Sequence, residues 1–231
     1  MPERSLAEIL SSRTFKVADK KEQLAIIDAE KDTARAEFNK KYSDKWIRAA
    51  GFRYKDCEFE NYECTDKRQT DAIKLLKEYA AGEPTRNVIF LGPTGTGKDH
   101  LAVGLLRRFT RRLIGCGYVS GPQLFADVAD AWRREGGSDL AIHKEYSVPR
   151  VLCISDPSLP GGLSDANVKF LYRLIDERYR ACRATVVTLN AKDGDNAAEL
   201  LGVQAWSRLI EGAIKIGCNW GDYRREGRKE K

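Results

Sequence analysis

The sequence is poor in the side chains that build metal sites and disulfide frameworks. It has two histidines among 231 residues, and its six cysteines form no CxxC pair. With only His100 and His143 to assist the cysteines, we expect no structural zinc site. The pattern instead predicts free thiols, most of them buried as small apolar side chains, in a reducing cytoplasm.

Long apolar runs are also missing. Val88–Leu91 and Val151–Ile154 are among the longest, and both are far shorter than the ~20 residues that a membrane-spanning helix needs. The first ten residues, MPERSLAEIL, lack the apolar core of a secretory signal. We therefore predict a cytoplasmic protein with no membrane partner.

Length and charge allow one ordinary domain with an extension. A chain of this size can bury roughly 70% of its unfolded surface without disulfides or metals. Apolar residues make up 42% of the sequence and charged residues 32%, with 40 basic and 34 acidic side chains and a net charge of +6. This mild excess permits a polyanionic partner such as nucleic acid without requiring one.

Residues 1–50 differ from the remainder. The first glycine is Gly51, and the only proline of the segment is Pro2. A thin apolar stripe at helical spacing runs through Leu24, Ile27, Ala34, Phe38 and Tyr42. Because such a helix cannot build a core alone, we predict a helical, partner-binding segment over residues 1–50 and a separate domain over residues 51–231. A solvated helix is the alternative.

The domain begins with an aromatic stretch and then alternates helix and strand. Phe52, Tyr54, Phe59 and Tyr62 either seal the edge of the domain or stack on an adenine or another base. The predicted strands are Asn87–Leu91, Tyr118–Val119, Val151–Ile154, Thr185–Leu189 and Ala213–Cys218. The predicted helices are Gln69–Tyr79, His100–Ile114, Pro122–Arg134, Ser164–Ala181 and Leu200–Ala213. Strands separated by helices predict an α/β fold of three layers, with a parallel sheet between helices.

A phosphate-binding loop follows the first of these strands. Residues 92–98 read GPTGTGK, which is the GxxxxGK pattern between a strand and a helix. Its glycines let backbone N–H groups surround an anion, the helix N-terminus favours negative charge, and Lys98 can reach the β- and γ-phosphates. The predicted ATP-binding residues are Gly92, Pro93, Thr94, Gly95, Thr96, Gly97, Lys98, Asp99 and His100.

The residue after the lysine departs from this pattern. Ser or Thr is usual there because its hydroxyl binds Mg²⁺, whereas this chain has Asp99. A carboxylate is a good ligand for Mg²⁺ and suits the first turn of a helix, but it also places negative charge beside the phosphates. We therefore predict ATP and Mg²⁺ as cofactors, with Asp99 and Asp156 as metal ligands, and leave hydrolysis open.

Two later strands also end in polar residues. Val151–Ile154 leads into Ser155, Asp156 and Pro157, at the place where P-loop enzymes hold Mg²⁺ with an acid. Either Asp156 is the acid on the Mg²⁺ side, or Ser155 takes that place and Asp156 polarises the attacking water. Asn190 ends the next strand and can orient that water. Asp156 and Asn190 are therefore predicted catalytic residues.

With these strand ends identified, residues from about 58 to 225 resemble the AAA+ core of bacterial helicase loaders of the DnaC type and of the related IstB transposition helpers. The matching segments are EFENY (58–62) with Gln69, GPTGTGK (92–98), HLA (100–102), VLCISD (151–156), IDERYRACRATVVTLN (175–190), LLGVQAWSRL (200–209) and NWGDYR (219–224). The resemblance implies an AAA+ core without a separate C-terminal helical lid. It also implies that Arg208 is an arginine finger reaching a neighbouring subunit of a homo-oligomer, and that residues 1–50 grip the replicative helicase.

Clusters of arginine in the sequence bear on whether the protein binds DNA. One predicted helix carries Arg107, Arg108, Arg111 and Arg112. They predict contact with single-stranded DNA, with a solvated face or a subunit interface as the alternative. A second, diluted basic group comprises Arg173, Arg178, Arg180 and Arg183.

The function that these features predict is that of an ATP-dependent helicase loader in DNA replication, with weak ATPase activity if any. One alternative is a transposition helper of the IstB type with a transposase as partner. The other is a nucleotide-gated adaptor with little or no hydrolysis, since Asp99, Ser155 and Pro157 depart from the usual pattern.

Overall fold

The fold is described from a computed structural model, which covers residues 45–223 together with residues 22, 25, 32, 33 and 37. The chain divides into two compact units, Met1–Phe38 and Asn39–Lys231, and residues 45–223 belong to the second. Most of the helix predicted over residues 1–50 therefore lies outside the described residues.

Five parallel strands form the sheet of the described region, in the order β2-β3-β4-β1-β5. They are β1 Val88–Leu91, β2 Cys116–Ser120, β3 Val151–Ser155, β4 Ala184–Leu189 and β5 Ile214–Gly217. β1 lies between β4 and β5, and Val88 is in register with Val186 on one side and with Ile214 on the other. The predicted parallel sheet is confirmed. Its central strands are short apolar runs because both faces of the sheet are covered.

Helices connect these strands. They are α1 Lys67–Ala81, α2 Lys98–Arg111, α3 Gly121–Arg133, α4 Leu140–Ser147, α5 Asp165–Arg180, α6 Gly194–Leu201 and α7 Val203–Ile210. Residues 45–50 are also helical, and Phe52–Tyr54 form a single 3₁₀ turn. No helix of the described residues is long and apolar enough to cross a membrane.

The sheet separates two apolar clusters, which makes the three predicted layers. Val88 and Phe90 point into one cluster together with apolar residues of α1 and α2. Ile89 points into the other, which α3, α5, α6 and α7 complete. Successive side chains of a strand face opposite ways. Strand β1, which leads into the phosphate loop, therefore packs against both apolar clusters.

Trp46 attaches residues 45–50 to this domain. Its side chain is buried, and its indole Nε1 donates a hydrogen bond to Thr110 Oγ1 at 3.1 Å. Ala50 is buried in the same cluster as α1 and α2. The last turn of the segment predicted to bind a partner is therefore packed on the core.

Two helices differ from the prediction. Instead of one helix over Leu200–Ala213, α6 and α7 meet at Gly202, which has a φ of 87°. The Gly202 N–H donates to the Ala198 carbonyl and ends α6, and a Cβ at this position would lie 2.9 Å from Val168. Helix α4 was not among the predicted helices. It is short, only Ser147 is fully buried, and its apolar contact with the core is limited to the partly buried Ile142 and Tyr146.

Arg178 corrects the prediction of a second basic surface group. Its side chain is fully buried, so it cannot meet a polyanion. The guanidinium donates to the carbonyls of Tyr146, Ser147, Pro149 and Ala184 and to the hydroxyl of Thr185. Burial lowers the pKa of Arg178 to about 9, which still leaves it charged at neutral pH. Arg178 therefore links the end of α4 and the residues that follow it to the start of β4.

Candidate functional site

The phosphate loop adopts the conformation that its glycines permit. Gly92 and Gly97 have φ values of 147° and 82°, in the region that side chains disfavour. A Cβ at Gly92 would lie 2.5 Å from the Cys218 carbonyl oxygen, and one at Gly97 would lie 2.8 Å from the Tyr62 ring. Both glycines are therefore required for β5 and the aromatic segment to approach the loop.

Lys98 is the first residue of α2 and lies inside the loop. Its side chain is buried, and Nζ donates to the Gly92 carbonyl at 2.8 Å, the Pro93 carbonyl at 2.6 Å and Asn190 Oδ1 at 2.9 Å. The ammonium group of Lys98 therefore lies within the loop, beside the backbone that would surround a phosphate.

Asp99 accepts hydrogen bonds from hydroxyls of two neighbouring strands. Ser155 Oγ donates to Asp99 Oδ1 at 2.7 Å, and Thr188 Oγ1 donates to the same oxygen at 2.8 Å. Ser155 and Thr188 are paired across β3 and β4. Tyr54 donates a longer bond of 3.4 Å to Asp99 Oδ2. Asp99 is thus joined to both strand ends, and the sequence did not identify Thr188 or Tyr54 as partners.

Asp156 belongs to a separate set of hydrogen-bonded side chains. Asn190 Nδ2 donates to Asp156 Oδ2 at 2.6 Å, and Ser158 Oγ donates to Asp156 Oδ1 at 2.7 Å. Asp156 has a φ of 45°, an uncommon value for a residue with a side chain. Ser155 therefore lies beside the residue that follows the lysine, and Asp156 lies beside Asn190.

Asn190 links Lys98 to Asp156 through the oxygen and nitrogen of its side-chain amide. Its oxygen accepts from Lys98 and its nitrogen donates to Asp156. The sequence prediction named all three residues, and the structure brings them into one hydrogen-bonded chain. The Asn190 amide therefore connects the Lys98 ammonium directly to the Asp156 carboxylate.

One cavity of about 720 Å³ is lined by Lys98, Asp99, Asp156 and Asn190. This volume is within the range of small-molecule sites, about 300–1,000 Å³. Tyr54 and Tyr62 also line the cavity, whereas Phe59 is buried in the core and Phe52 is exposed. Tyr62 donates to the Thr96 carbonyl at 3.0 Å and meets His100 edge to face, with ring centroids 5.1 Å apart. Burial raises the pKa of Tyr62 to about 12. Its hydroxyl therefore stays protonated and remains a donor.

Residues after β5 form a further wall. Trp220 Nε1 donates to the Thr96 carbonyl at 2.7 Å, and the Tyr223 N–H donates to the Gly95 carbonyl at 3.1 Å. The Asp222 carboxylate lies against Gly95, since a Cβ there would be 1.8 Å from its Oδ1. The sequence resemblance includes residues 219–224 but gave no reason to place them on the phosphate loop.

The chain matches a known protein family over most of its length. The family described as IstB-like ATP binding protein matches residues 5–205 of this chain. The chain belongs to this family. It is 25% identical to the replicative helicase loader DnaC of Escherichia coli (strain K12) over 214 residues, which are 90% of this chain and 85% of DnaC.

The solved structures show the AAA+ fold. A crystal structure of the DnaC helicase loader covers 72% of this chain and 99% of its own, with a TM-score of 0.66 and 21% sequence identity. AMPPCP-bound DnaA from Aquifex aeolicus covers 78% of this chain and 56% of its own, with a TM-score of 0.62 and 16% identity. This IstB-like protein therefore has an α/β AAA+ core, as its sequence predicts.

Three of the four arginines predicted to meet DNA are engaged within this IstB-like protein. Arg108 pairs with Glu60, and Arg111 pairs with Glu58 at 2.5 Å. Arg112 donates to the Ala80 carbonyl at 2.7 Å, and Arg107 is half-buried. The aromatic segment that precedes α1 thus supplies acids to this face of α2, an arrangement that spacing along the helix could not reveal.

Arg208 lies on α7 and is held by α5. Its Nε donates to Asp176 Oδ1 at 2.5 Å, its Nη2 donates to the Tyr172 hydroxyl at 3.2 Å, and its guanidinium lies 4.9 Å from the Tyr172 ring centre. Asp176 also pairs with Arg180 at 3.0 Å. Neither Arg208 nor these partners line the cavity described above.

Proposed function

We propose that the protein is an ATP-dependent loader of a replicative helicase. The observation that carries this proposal is the chain Lys98–Asn190–Asp156, which connects the phosphate loop to the ends of two strands within one cavity. Membership of an ATP-binding family and 25% identity to DnaC across most of both chains support it.

The residues of the cavity have separable tasks. Lys98 exchanges its carbonyl partners for β- and γ-phosphate oxygens, and the N-terminus of α2 adds a favourable field. Asp156 accepts a proton from the attacking water, which Asn190 orients. Because Asn190 touches both Lys98 and Asp156, its position reports whether the γ-phosphate is present.

Mg²⁺ fits the acidic part of the cavity. Among the described residues, no group of three or more His, Cys, Asp or Glu could hold a metal ion. In nucleotide sites, however, Mg²⁺ takes one or two carboxylates together with phosphates and waters. Asp99 lines the cavity, and its carboxylate is oriented by two hydroxyls, so it suits this role. When bound, Mg²⁺ offsets the phosphate charge that Asp99 and Asp156 would otherwise repel.

The partners proposed are a replicative helicase through residues 1–50, single-stranded DNA, and further copies of the chain. DNA can bind Arg108 and Arg111 only after their ion pairs with Glu60 and Glu58, respectively, have broken. Exposed pairs contribute only about 0–1 kcal/mol each, so a phosphate backbone can replace them. The fold neighbour DnaA is described in complex with AMPPCP and single-stranded DNA, which supports this pairing of ligands.

The proposal is tested by measuring ATP binding and turnover side by side, in Mg²⁺, with and without single-stranded DNA and purified replicative helicase. A loader binds ATP and the helicase, and its turnover responds to DNA. Tight binding of ATP with no turnover under any condition would instead mean a nucleotide-gated adaptor. A second candidate is a transposition helper, because the matched family is the IstB-like one. Capture of a purified transposase but not of the helicase would favour it.

The arginine finger gives a more specific prediction. We expect Arg208→Ala to leave ATP affinity unchanged and to lower turnover by about 10³-fold or more, the typical contribution of such a finger. The control is Arg180→Ala, because Arg180 pairs with the same Asp176 while its side chain is 72% exposed. If the Arg208 variant turns over ATP at the unmodified rate, the finger lies elsewhere.

A further inference from the structure

The strongest unexplained feature of the cavity is the pairing of Asp99 with Ser155. P-loop NTPases hold Mg²⁺ with the hydroxyl that follows the loop lysine and with an aspartate at the end of a second strand. In this chain the first position is a carboxylate and the second is a hydroxyl. Each residue has the chemistry expected of the other.

The two positions are in direct contact. Ser155 Oγ lies 2.7 Å from Asp99 Oδ1. Ser155 is the last residue of β3, and Asp99 lies in the first turn of α2. Together they supply one carboxylate, one hydroxyl and one negative charge, which is the same set that the usual arrangement supplies with the positions reversed.

Neighbouring groups hold the carboxylate in a defined orientation. Thr188, which is buried, donates a second hydrogen bond to Asp99 Oδ1 at 2.8 Å and lies 3.4 Å from Ser155 Oγ. Two strong donors thus occupy one carboxylate oxygen. The other accepts the longer Tyr54 bond of 3.4 Å, and Asp99 lines the cavity. A hydrogen-bonded carboxylate with one oxygen left weakly engaged is well placed to bind a cation.

We infer that Asp99 and Ser155 have exchanged the two roles of the Mg²⁺ site. Asp99, which lines the cavity, provides the carboxylate that binds the ion, and Ser155, which is buried and does not line the cavity, provides the hydroxyl that holds this carboxylate. The inference rests on the proposed ATP site and goes beyond it, since it assigns Ser155 a function and makes the two positions interdependent. Asp156 is then left for the attacking water. The unusual carboxylate at Asp99 is thus compensated by the unusual hydroxyl at Ser155.

The test is a double-mutant cycle on Mg²⁺-dependent nucleotide binding. The variants are Asp99→Thr, Ser155→Asp and the two combined, with Asp99→Asn as a shape-conserving control. For each, ADP affinity is measured in Mg²⁺ and in EDTA, and Mn²⁺ bound in the presence of ADP is counted by electron paramagnetic resonance. These readouts do not require turnover.

We expect Asp99→Thr and Asp99→Asn to lose about 10-fold or more of the affinity gained from Mg²⁺, a usual effect of disturbing a metal site. Their affinities in EDTA should equal or exceed that of the unmodified protein, because both variants lack a negative charge beside the phosphates. Ser155→Asp places two carboxylates together and should lower the melting temperature in the absence of metal. The combined variant should recover the Mg²⁺ gain to within about threefold, because one carboxylate and one hydroxyl are present again.

Two results would overturn the inference. One is a full Mg²⁺ gain in Asp99→Thr, and the other is a combined variant no better than Asp99→Thr alone although its melting curve is cooperative. In both cases, normal affinity in EDTA would leave the proposed ATP site intact. If the unmodified protein binds no nucleotide in either buffer, the proposed function fails and the inference fails with it.

Discussion

Replacing Lys98 by alanine is expected to weaken ATP binding by about 30-fold to 4,000-fold. Lys98 is buried in the phosphate loop, where its Nζ contacts the Gly92 and Pro93 carbonyls and Asn190. Removing one partner of a buried, hydrogen-bonded charge pair costs about 2–5 kcal/mol, and every 1.4 kcal/mol is about a factor of ten. Titration with a fluorescent ATP analogue, in Mg²⁺ and in EDTA, measures the change.

The control for this variant is Lys215→Ala. Lys215 lies on β5, where its side chain is exposed, and it does not line the cavity. It removes the same charge from the chain and should leave the affinity unchanged. If Lys98→Ala binds ATP as tightly as the unmodified protein, the loop is not the nucleotide site and the proposed function loses its basis.

Replacing Arg178 by methionine is expected to lower the free energy of unfolding by about 3–5 kcal/mol, because several buried carbonyls lose their donor at a cost of about 1–3 kcal/mol each. The substitution keeps a side chain of similar length but leaves the buried carbonyls of Ser147 and Ala184 without their donor. An unsatisfied buried acceptor retains its full desolvation cost. Urea denaturation followed by circular dichroism measures the change.

Arg180→Met serves as the matched control, two residues away on the same helix. Its side chain is 72% exposed and pairs with Asp176 at the surface, so we expect a change of about 1 kcal/mol or less. If the Arg178 variant were as stable as the Arg180 variant, water must satisfy the exposed carbonyls, and Arg178 would not be a structural cross-link.

The fold was predictable because its signals are local. The sequence predicts all five strands of the described region near their observed positions, and it predicts the phosphate loop between β1 and α2. Buried strands of a parallel sheet are continuous apolar runs, and a glycine-rich loop has few other structural uses. Gly202 shows the limit, because one glycine inside an apolar helical pattern is compatible with either a continuous helix or a break.

The candidate site was only partly predictable because it depends on contacts between distant residues. Whether Ser155 or Asp156 faces α2 is decided by a shift of one residue at the end of β3, which reverses the direction of the side chain. The partner of Arg111 is Glu58, and the partner of Thr96 is Trp220. Periodicity along a helix or strand holds no information on such pairs.

The position of β1 has a consequence for the order in which the site is completed during synthesis. The ribosome makes residues 88–98 early, but the neighbours of β1 are β4 and β5, about a hundred residues further along the chain. Contacts between residues so far apart in sequence form only after much intervening chain has been ordered. Until Ile214–Gly217 have been made, β1 has an open edge. The Thr96 carbonyl gains its donor from the Trp220 side chain, and the Gly95 carbonyl gains its donor from the backbone N–H of Tyr223. ATP is therefore expected to bind the chain only once it has been synthesised at least as far as residue 223.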